Sequence, residues 1–292
     1  MRHSTSNASL EVFCVYDRNY DAGLIGAIGS LYLTCTSQVP LRVLVVRENV
    51  GDLLRTLDIL CKHTRALQNL TITIIPDSVV ERCKSLSFAH HFTPAICYRL
   101  FYFEIVRDQP RHVIYFDLDM IWRRPPTELV LQLPANYPLG AVEQDAPESS
   151  RKLLGQMGID TYFNSGLLLF DTRFLKDILD RLSSAQNLLA RLAPESEYLD
   201  QDALNAAFAG TWATLPAIWN YDTRKATDDG LRAQSRAGLL HATGSEKPWH
   251  IPNSHIFSKA FGSLFAALGI PCRFRYSLKD SWRRFARRLT FG

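Results

Sequence analysis

The sequence has little that would indicate a secreted, membrane-spanning or disordered protein. It contains no internal repeat and no low-complexity block, and its apolar share of 47% and charged share of 21% are those of ordinary globular chains. None of its six cysteines forms a C-x-x-C pair, so a zinc site is not expected. Five of them sit within or beside apolar segments, which suits free thiols in a reducing compartment better than a disulfide framework.

Long apolar runs are also missing. The first residues, MRHSTSNASLEVFCVYD, contain no apolar stretch of the length that a signal peptide needs. The most apolar helix candidate, residues 22–33, is too short to cross a bilayer. We therefore expect a cytoplasmic protein that is not an integral membrane protein.

The chain does contain short apolar strands that alternate with helical patterns. Strands are predicted at residues 12–16, 41–46, 70–76, 112–117, 137–145 and 166–170, and one more ends at His241. Helices are predicted at residues 22–34, 51–63, 93–106 and 173–193, and again within EYLDQDALNAAFAG. This alternation is typical of βαβ units and predicts an α/β fold with a mostly parallel sheet covered by helices on both faces.

Two carboxylates follow the apolar strand that ends in VIYF. In an extended segment residues i and i+2 point to the same side, so Asp117 and Asp119 can project together while Leu118 faces the core. Two carboxylates on one side suit Mg²⁺ or Mn²⁺, and ligands bind such sheets at the carboxyl ends of the strands. The alternative is a solvated turn or a helix cap.

Three other polar segments are candidates for the same edge of the sheet. In HATGSEKPWH, His241 precedes a glycine and Lys247. The imidazole suits Mn²⁺ and the lysine suits a phosphate, although a lone histidine is more often structural. Asp200, Gln201 and Asp202 begin a helix and are candidate site residues; the alternative is that they only cap the helix and complement its dipole. Asn164 precedes a buried strand and is otherwise an ordinary turn residue.

Residues 273–292 differ in charge from the rest of the chain. They hold seven basic residues and one acid, a net charge of +6, so the other residues sum to −2 within a total of +4. Leu278, Trp282, Phe285 and Leu289 fall at helical spacing with arginines between them, which is typical of an amphipathic helix at an anionic membrane surface. A terminal helix docked on the body is the alternative. The nearly neutral body argues against nucleic acid.

Six segments occur in an order that resembles glycosyltransferase family 8. They are VYDRNY, YRL, YFDLDMIW, FNSGLLLFD, DQDALN and HATGSEKPW, and the resemblance spans about residues 11–250. Members are retaining enzymes with a GT-A, Rossmann-like fold, including bacterial lipopolysaccharide galactosyl- and glucosyltransferases. The resemblance implies a GT-A domain at residues 1–272 and transfer of galactose or glucose from a UDP-sugar, with Mn²⁺ or Mg²⁺ as cofactor. The acceptor would be lipopolysaccharide, a lipid-linked glycan or another cell-surface saccharide.

The resemblance also implies a role for each matching residue. The metal ligands would be Asp117, Asp119 and His241. Asp17, Asn19 and the backbone near Val15 would contact the uracil and ribose of the donor. Gly244 and Lys247 would contact its diphosphate. The residues around the transferred sugar would be Arg99, Asp145, Asn164, Asp200 and Gln201. With the basic tail, this implies a cytoplasmic enzyme held peripherally at the inner face of the cell membrane.

Gln201 would lie beneath the anomeric carbon of the sugar. Since an uncharged amide is a poor nucleophile, we favour attack on the face that UDP leaves, with Gln201 or a backbone carbonyl stabilising the cation. A covalent intermediate on Asp200 or Asp202 is the alternative. Other functions stay open as well: a metal-dependent nucleotidyltransferase, a sugar-nucleotide hydrolase, or a non-catalytic module that binds a UDP-sugar.

Overall fold

The structure is a computed structural model that describes residues 9–35, 39–63, 68–86, 93–225, 236–244, 247–249 and 256–271. Its strands are β1 (Leu10–Tyr16), β2 (Leu41–Val45), β3 (Leu70–Ile74), β4 (His112–Phe116), β5 (Met120–Trp122), β6 (Leu139–Glu143), β7 (Phe163–Asp171), β8 (Trp212–Thr214), β9 (Tyr221–Asp222) and β10 (Leu239–His241). The basic tail, residues 273–292, lies outside the described residues, as does Cys272.

Helices alternate with these strands through most of the chain. They are α1 (Asp21–Thr34), α2 (Val50–His63), α3 (Asp77–Lys84), α4 (Tyr102–Ile105), α5 (Pro126–Val130), α6 (Glu148–Gly155), α7 (Leu175–Leu192), α8 (Leu199–Ala207) and α9 (Ile256–Ala267). Short 3-10 helices occupy Arg18–Tyr20, Arg47–Asn49, Pro94–Phe101, Thr172–Phe174, Ala217–Asn220 and Thr223–Lys225.

The main sheet has seven strands in the order β3-β2-β1-β4-β7-β6-β8. The first four of these are parallel to one another, β7 is antiparallel to both of its neighbours, and β8 pairs in parallel with β6. A second sheet holds β5, β10 and β9. The predicted α/β class and mostly parallel sheet are therefore confirmed.

Both faces of the main sheet are buried, which explains the apolar character of its central strands. Alternate residues of β1 belong to different cores: Val12, Cys14 and Tyr16 pack with α1, α2 and α9, whereas Phe13 and Val15 pack with the 3-10 helix at 94–101, α7 and α8. This period of two is the geometry of an extended strand. The sheet is consequently a middle layer between two layers of helices.

The chain leaves the main sheet between β4 and β5. Asp117 to Asp119 form a turn rather than a continuation of the strand, because β5 pairs with β10 of the small sheet. The N-terminal part of α1 packs against this turn, and a Cβ on Gly23 would lie 2.7 Å from the Leu118 carbonyl oxygen. Leu118 is buried, as predicted.

Some predicted elements differ from the observed ones. The predicted helix at 93–106 is mostly a 3-10 helix. Its residues from Cys97 to Phe101 are all buried, so they show no alternation of apolar and polar residues from which a 3-10 helix could be told from an α-helix. Strand β7 begins three residues earlier than predicted, and β3 ends two residues earlier. Elements without a predicted counterpart include α3, β5, α6 and α9.

Candidate active site

Pairing within the small sheet brings the Asp117–Asp119 turn to a histidine far along the chain. Strand β10 is antiparallel to β5, with His241 opposite Met120, and the Ala242 amide donates to the Asp119 carbonyl oxygen at 3.0 Å. On the other side of the turn, the Asp117 amide donates to the Gly166 carbonyl oxygen of β7 at 2.9 Å. Backbone hydrogen bonds from both sheets therefore fix the turn.

Asp117, Asp119 and His241 form a cluster whose ligand atoms all lie within 4.8 Å of one another. The Nε2 atom of His241 is 3.2 Å from Asp119 Oδ1 and 3.9 Å from Asp117 Oδ2. The side chains of His241 and Asp119 are buried, and that of Asp117 is partly exposed. The predicted convergence of these three residues is thus present in the structure, although the turn rather than an extended segment produces it.

The chemistry of this cluster fits a divalent cation. Asp119 Oδ1 is buried, and Nε2 of His241 lies 3.2 Å from it. When that nitrogen carries no proton, the oxygen accepts no hydrogen bond from any described residue, a costly state for a carboxylate oxygen unless a cation faces it. Burial alone would raise the pKa of Asp119, but Lys247 and His241 outweigh it and hold the pKa well below its usual range. Two carboxylates and one imidazole are ligands that Mn²⁺ accepts readily.

Lys247 lies directly beside the cluster. Its buried Nζ atom donates to Asp119 Oδ2 and to the Ala242 carbonyl oxygen at 3.0 Å. An ammonium group has three donors, so one N–H remains beyond these two bonds. The lysine compensates part of the buried negative charge and adds a positive charge next to the cation site.

Arg99 connects the cluster to helix α8. Its buried guanidinium donates to Asp200 and, more weakly, to Asp117 at 3.3 Å. It also donates to the carbonyl oxygen of Ser165 at 2.8 Å and to its hydroxyl at 2.9 Å, and it stacks over the Tyr115 ring. Burial raises the pKa of Asp200, and the Arg99 charge opposes that increase. The arginine therefore holds two of the predicted site carboxylates in place.

Gln201 is buried, and both ends of its amide are hydrogen-bonded. Its Oε1 accepts from the Ser165 amide at 2.9 Å and from the Ser165 hydroxyl at 3.1 Å, and its Nε2 donates to the Tyr162 hydroxyl at 2.8 Å. Tyr162 donates in turn to Asp202 at 2.7 Å, and Asp202 also accepts from Ser196 at 2.6 Å. Asp202 therefore supports Gln201 through Tyr162, unlike Asp200, which binds Arg99.

Asn164 lies where β7 bulges beside β6, opposite Val142. Its Oδ1 accepts from the Gly166 amide at 2.9 Å and from Asn220 Nδ2 at 2.8 Å, and its Nδ2 donates to Gln144 Oε1 at 3.1 Å. The residue that reaches Asn164 is thus Gln144 and not its neighbour Asp145, which lies exposed in the loop after β6.

Asp17 follows β1 directly, two residues after Val15, next to the end of β4. Its Oδ1 caps the 3-10 helix by accepting from the backbone and side-chain amides of Asn19, at 2.8 and 2.7 Å, and its Oδ2 accepts from Thr93 at 3.0 Å. Burial raises the pKa of the Tyr20 phenol, and the charges of Asp119, Asp117 and Asp17 add to that increase. Asp17 and the two aspartates of the cluster therefore all lie within electrostatic range of Tyr20, and Asn19 is exposed.

Gly244 follows β10 with a φ of +87°, a conformation that favours glycine. A Cβ there would also lie 3.3 Å from Nη1 of Arg224, whose guanidinium pairs with Asp222 at 2.9 Å. The loop after His241 thus passes close to an exposed arginine that the sequence analysis did not single out.

Together, the fold and the site define an α/β domain with a carboxylate–imidazole cluster that could hold a cation at the carboxyl end of a central strand, the arrangement of a GT-A glycosyltransferase. The profile of glycosyl transferase family 8 matches residues 11–251, and the chain belongs to this family. The family predicted from the ordered motifs is therefore confirmed.

The relatives share the fold at low sequence identity. The galactosyltransferase LgtC, solved with donor and acceptor sugar analogues, superposes with a TM-score of 0.71 at 21% identity, covering 88% of this chain and 95% of LgtC. The bifunctional glycosyltransferase WbbM superposes with a TM-score of 0.67 at 18% identity, covering 89% of this chain and 50% of WbbM.

One curated relative is a lipopolysaccharide 1,2-glucosyltransferase of Escherichia coli strain K12. It is 25% identical over 184 residues, which cover 58% of this chain and 53% of the relative. The chain therefore spans about half the length of this relative. Across the described ranges, no helix combines the length and hydropathy that a bilayer crossing requires.

Proposed function

We propose that the protein is a retaining hexosyltransferase that moves galactose or glucose from a UDP-sugar to a glycan acceptor of the lipopolysaccharide type. The observation that carries this proposal is the cluster of Asp117, Asp119 and His241, whose possible ligand atoms all lie within 4.8 Å of one another. The family and the names of the relatives support the choice of hexosyl transfer. Asp117, Asp119 and His241 would bind the cation, with Mn²⁺ preferred over Mg²⁺ because of the imidazole.

The leaving group of such a reaction is UDP, and its departure builds negative charge on the diphosphate. A bound divalent cation supplies Lewis-acid stabilisation of that charge. Lys247 would contribute its remaining N–H to a diphosphate oxygen, and the backbone at Gly244 would approach the same group closely, since no side chain intervenes. The Lys247 charge is in place before the reaction, so stabilising the departing UDP requires little reorganisation of the site in the transition state. At the other end of the donor, Asp17, Asn19 and the backbone near Val15 would hold the uracil and the ribose.

The transferred sugar would lie between β7, the Arg99 side chain and the start of α8. Asn164 offers an N–H to a hydroxyl oxygen of the sugar, because its own oxygen already accepts two hydrogen bonds. Asp200 accepts from Arg99 and could also accept from a sugar hydroxyl. Asp145 would approach the sugar from the loop after β6.

Two observations favour attack on the face that UDP leaves over a covalent intermediate on a carboxylate. Asp202 accepts hydrogen bonds from Tyr162 and Ser196 and is fully buried, so it is a poor candidate nucleophile. Asp200 is paired with a buried arginine, which lowers the nucleophilicity of its oxygens. Gln201, held by Ser165 and Tyr162, would present its amide dipole to the developing positive charge on the sugar.

We further propose that residues 1–272 form the catalytic domain and that the basic tail at 273–292 binds anionic lipid at the inner face of the cell membrane. The support is the net charge of +6 in this segment. Deleting residues 273–292 should abolish sedimentation with phosphatidylglycerol vesicles while sparing UDP release from UDP-sugars. Vesicle binding that survives the deletion would remove the membrane part of the proposal.

A donor screen tests the transferase assignment itself. Each UDP-hexose is incubated with the full chain and Mn²⁺, and released UDP is measured with and without a chelator. We expect UDP from UDP-galactose or UDP-glucose, and its loss with chelator or with Asp119→Asn. The matched control, Asp58→Asn, changes an exposed aspartate of α2 and should release UDP like the wild type. No UDP from any donor would contradict the proposal.

A further inference from the structure

The position of the proton on the His241 ring decides whether this residue can bind a cation. A neutral imidazole has one N–H and one lone pair, and only the lone pair binds a metal. The Nε2 atom faces Asp119 and Asp117, whereas Nδ1 lies 2.8 Å from Oδ1 of Asn220. A cation among these residues therefore requires the proton on Nδ1.

A backbone amide determines the orientation of two neighbouring side-chain amides. The Gly166 N–H can only donate, so the Asn164 atom at 2.9 Å from it is the oxygen, Oδ1. The Asn220 atom at 2.8 Å from that oxygen must be the donor, Nδ2. The Asn220 atom that faces His241 is consequently its carbonyl oxygen, which can only accept.

We propose that Asn220 is a positioning residue that holds His241 in the Nδ1–H form and so leaves the Nε2 lone pair free for a divalent cation. Its place in the fold supports this role, because Asn220 ends the 3-10 helix that leads into β9, and β9 pairs with β10 beside His241. Both side chains are buried, with exposed fractions of 8% and 4%. Partners of this kind orient metal-binding histidines in general.

The same hydrogen bonds connect the cation site to the sugar-binding side of the pocket. Asn220 donates to the oxygen of Asn164, which leaves Asn164 with only N–H groups to offer, one of them already bound to Gln144. A change at Asn220 should therefore affect two separate properties, the cation affinity through His241 and the donor affinity through Asn164. The inference rests on the proposed function only for the identity of these ligands.

The most direct test needs no substitution. Long-range ¹H–¹⁵N spectra of the metal-free protein, at a pH where the ring carries one proton, report which nitrogen is protonated. The His241 signals are identified among the eight histidines by their absence in His241→Gln. We expect a protonated Nδ1 and an unprotonated Nε2; a dominant Nε2–H form would overturn the proposal. If wild-type protein shows the expected form but fails to bind Mn²⁺, the proposed cofactor fails and the role of Asn220 in orienting the ring stands.

Two variants of Asn220 separate its two hydrogen bonds. Asn220→Ala should mix the two forms of the His241 ring and weaken Mn²⁺ binding about 10- to 100-fold. Asn220→Asp keeps an acceptor for Nδ1 but cannot donate to Asn164, so it should keep the Nδ1–H signals and raise the KM for the donor. If Asn220→Ala does not fold, the wild-type and Asn220→Asp spectra still decide the question.

Asn205→Ala is the matched control. Asn205 is also buried and makes three hydrogen bonds, with the backbone of Phe163 and Gln201, but none with His241. Its replacement should lower the stability while leaving the His241 spectrum and the Mn²⁺ affinity unchanged. Wild-type ring signals and wild-type Mn²⁺ affinity in folded Asn220→Ala would overturn the proposal.

Discussion

Gly166 and His241 approach each other so closely that position 166 cannot hold a side chain without a shift of the site. A Cβ on Gly166 would lie 2.5 Å from Cε1 of His241 and 2.8 Å from Oδ2 of Asp117. The backbone amide of Gly166 also orients Asn164, and its carbonyl oxygen accepts from the Asp117 amide. This glycine therefore sets the distance between β7 and two of the three candidate metal ligands.

Gly166→Ala should weaken Mn²⁺ binding by more than tenfold and lower turnover about 100-fold, because displacing catalytic groups by about 1 Å has effects of that size. Calorimetric titration with Mn²⁺ and the UDP-release assay measure the two effects. Gly155→Ala is the control, since nothing lies within 4 Å of a Cβ there. Wild-type Mn²⁺ affinity in Gly166→Ala would show that the three residues do not form the cation site.

Arg99→Met should destabilise the fold as well as the site. The change leaves the buried Asp200 without its partner, and breaking a buried ion pair from one side costs about 3–5 kcal/mol. Adding Asp200→Asn to Arg99→Met should restore part of the free energy of unfolding, which urea denaturation measures. Arg111→Met, at a guanidinium that is 44% exposed, should cost under about 1 kcal/mol. Additive effects of the Arg99 and Asp200 changes would argue against the pairing.

Tyr162→Phe should lower kcat about tenfold while leaving Mn²⁺ affinity unchanged. The tyrosine hydroxyl joins Nε2 of Gln201 to Asp202, so its loss frees one end of the Gln201 amide without touching the cation site. Ser196→Ala removes a different donor to Asp202 and should leave kcat near the wild-type value. Equal effects of both changes on kcat would mean that Gln201 does not depend on this hydroxyl.

The stability contributed by Asp171 should depend on pH. This buried carboxylate accepts from the Arg173 side chain and from Arg111, and although burial opposes it, these bonds lower its pKa below the ordinary 3.8. A carboxyl whose pKa is lower in the folded state stabilises the fold above its ordinary pKa, and that stabilisation is lost as the pH falls through the folded value. Asp171→Asn should therefore cost about 2 kcal/mol at pH 7. The difference in the free energy of unfolding between the wild type and Asp171→Asn should shrink below about pH 4. Urea denaturation at pH 7 and below about pH 4 measures it. An equal difference in the free energy of unfolding at the two pH values would contradict this role of Asp171.

The sequence was sufficient to predict the central strands because each is a short apolar run buried on both faces. It was also sufficient to name Asp117, Asp119 and His241 as candidates, since each stands at the end of such a run, and the structure brings the three together. It could not locate β5, which has three residues and is defined only by pairing with β10. Helices α3 and α6 have only eight residues each, so the helical spacing of their apolar side chains repeats about twice and gives a weak pattern.

The residues that orient the site were harder to find from the sequence than the ligands themselves. Asn220 is an isolated asparagine in an aromatic segment, and only the pairing of β9 with β10 brings it to His241. Ser165 and Gly166 fall within the FNSG motif, but their contacts with Gln201 and His241 depend on the β7 bulge and on the packing of α8. Such contacts are properties of the tertiary structure, and no local pattern encodes them.

The anomeric outcome of slow UDP-sugar hydrolysis tests the central claim most directly. UDP-galactose and UDP-glucose carry α-linked sugars, so a retaining transferase that uses water as acceptor releases UDP and the α-hexose first. Proton NMR follows the new anomeric signal before mutarotation, with Mn²⁺ added only at the low level that the spectrum tolerates. We expect UDP with the α-hexose; the β-hexose, or UMP with a hexose 1-phosphate, would contradict the account.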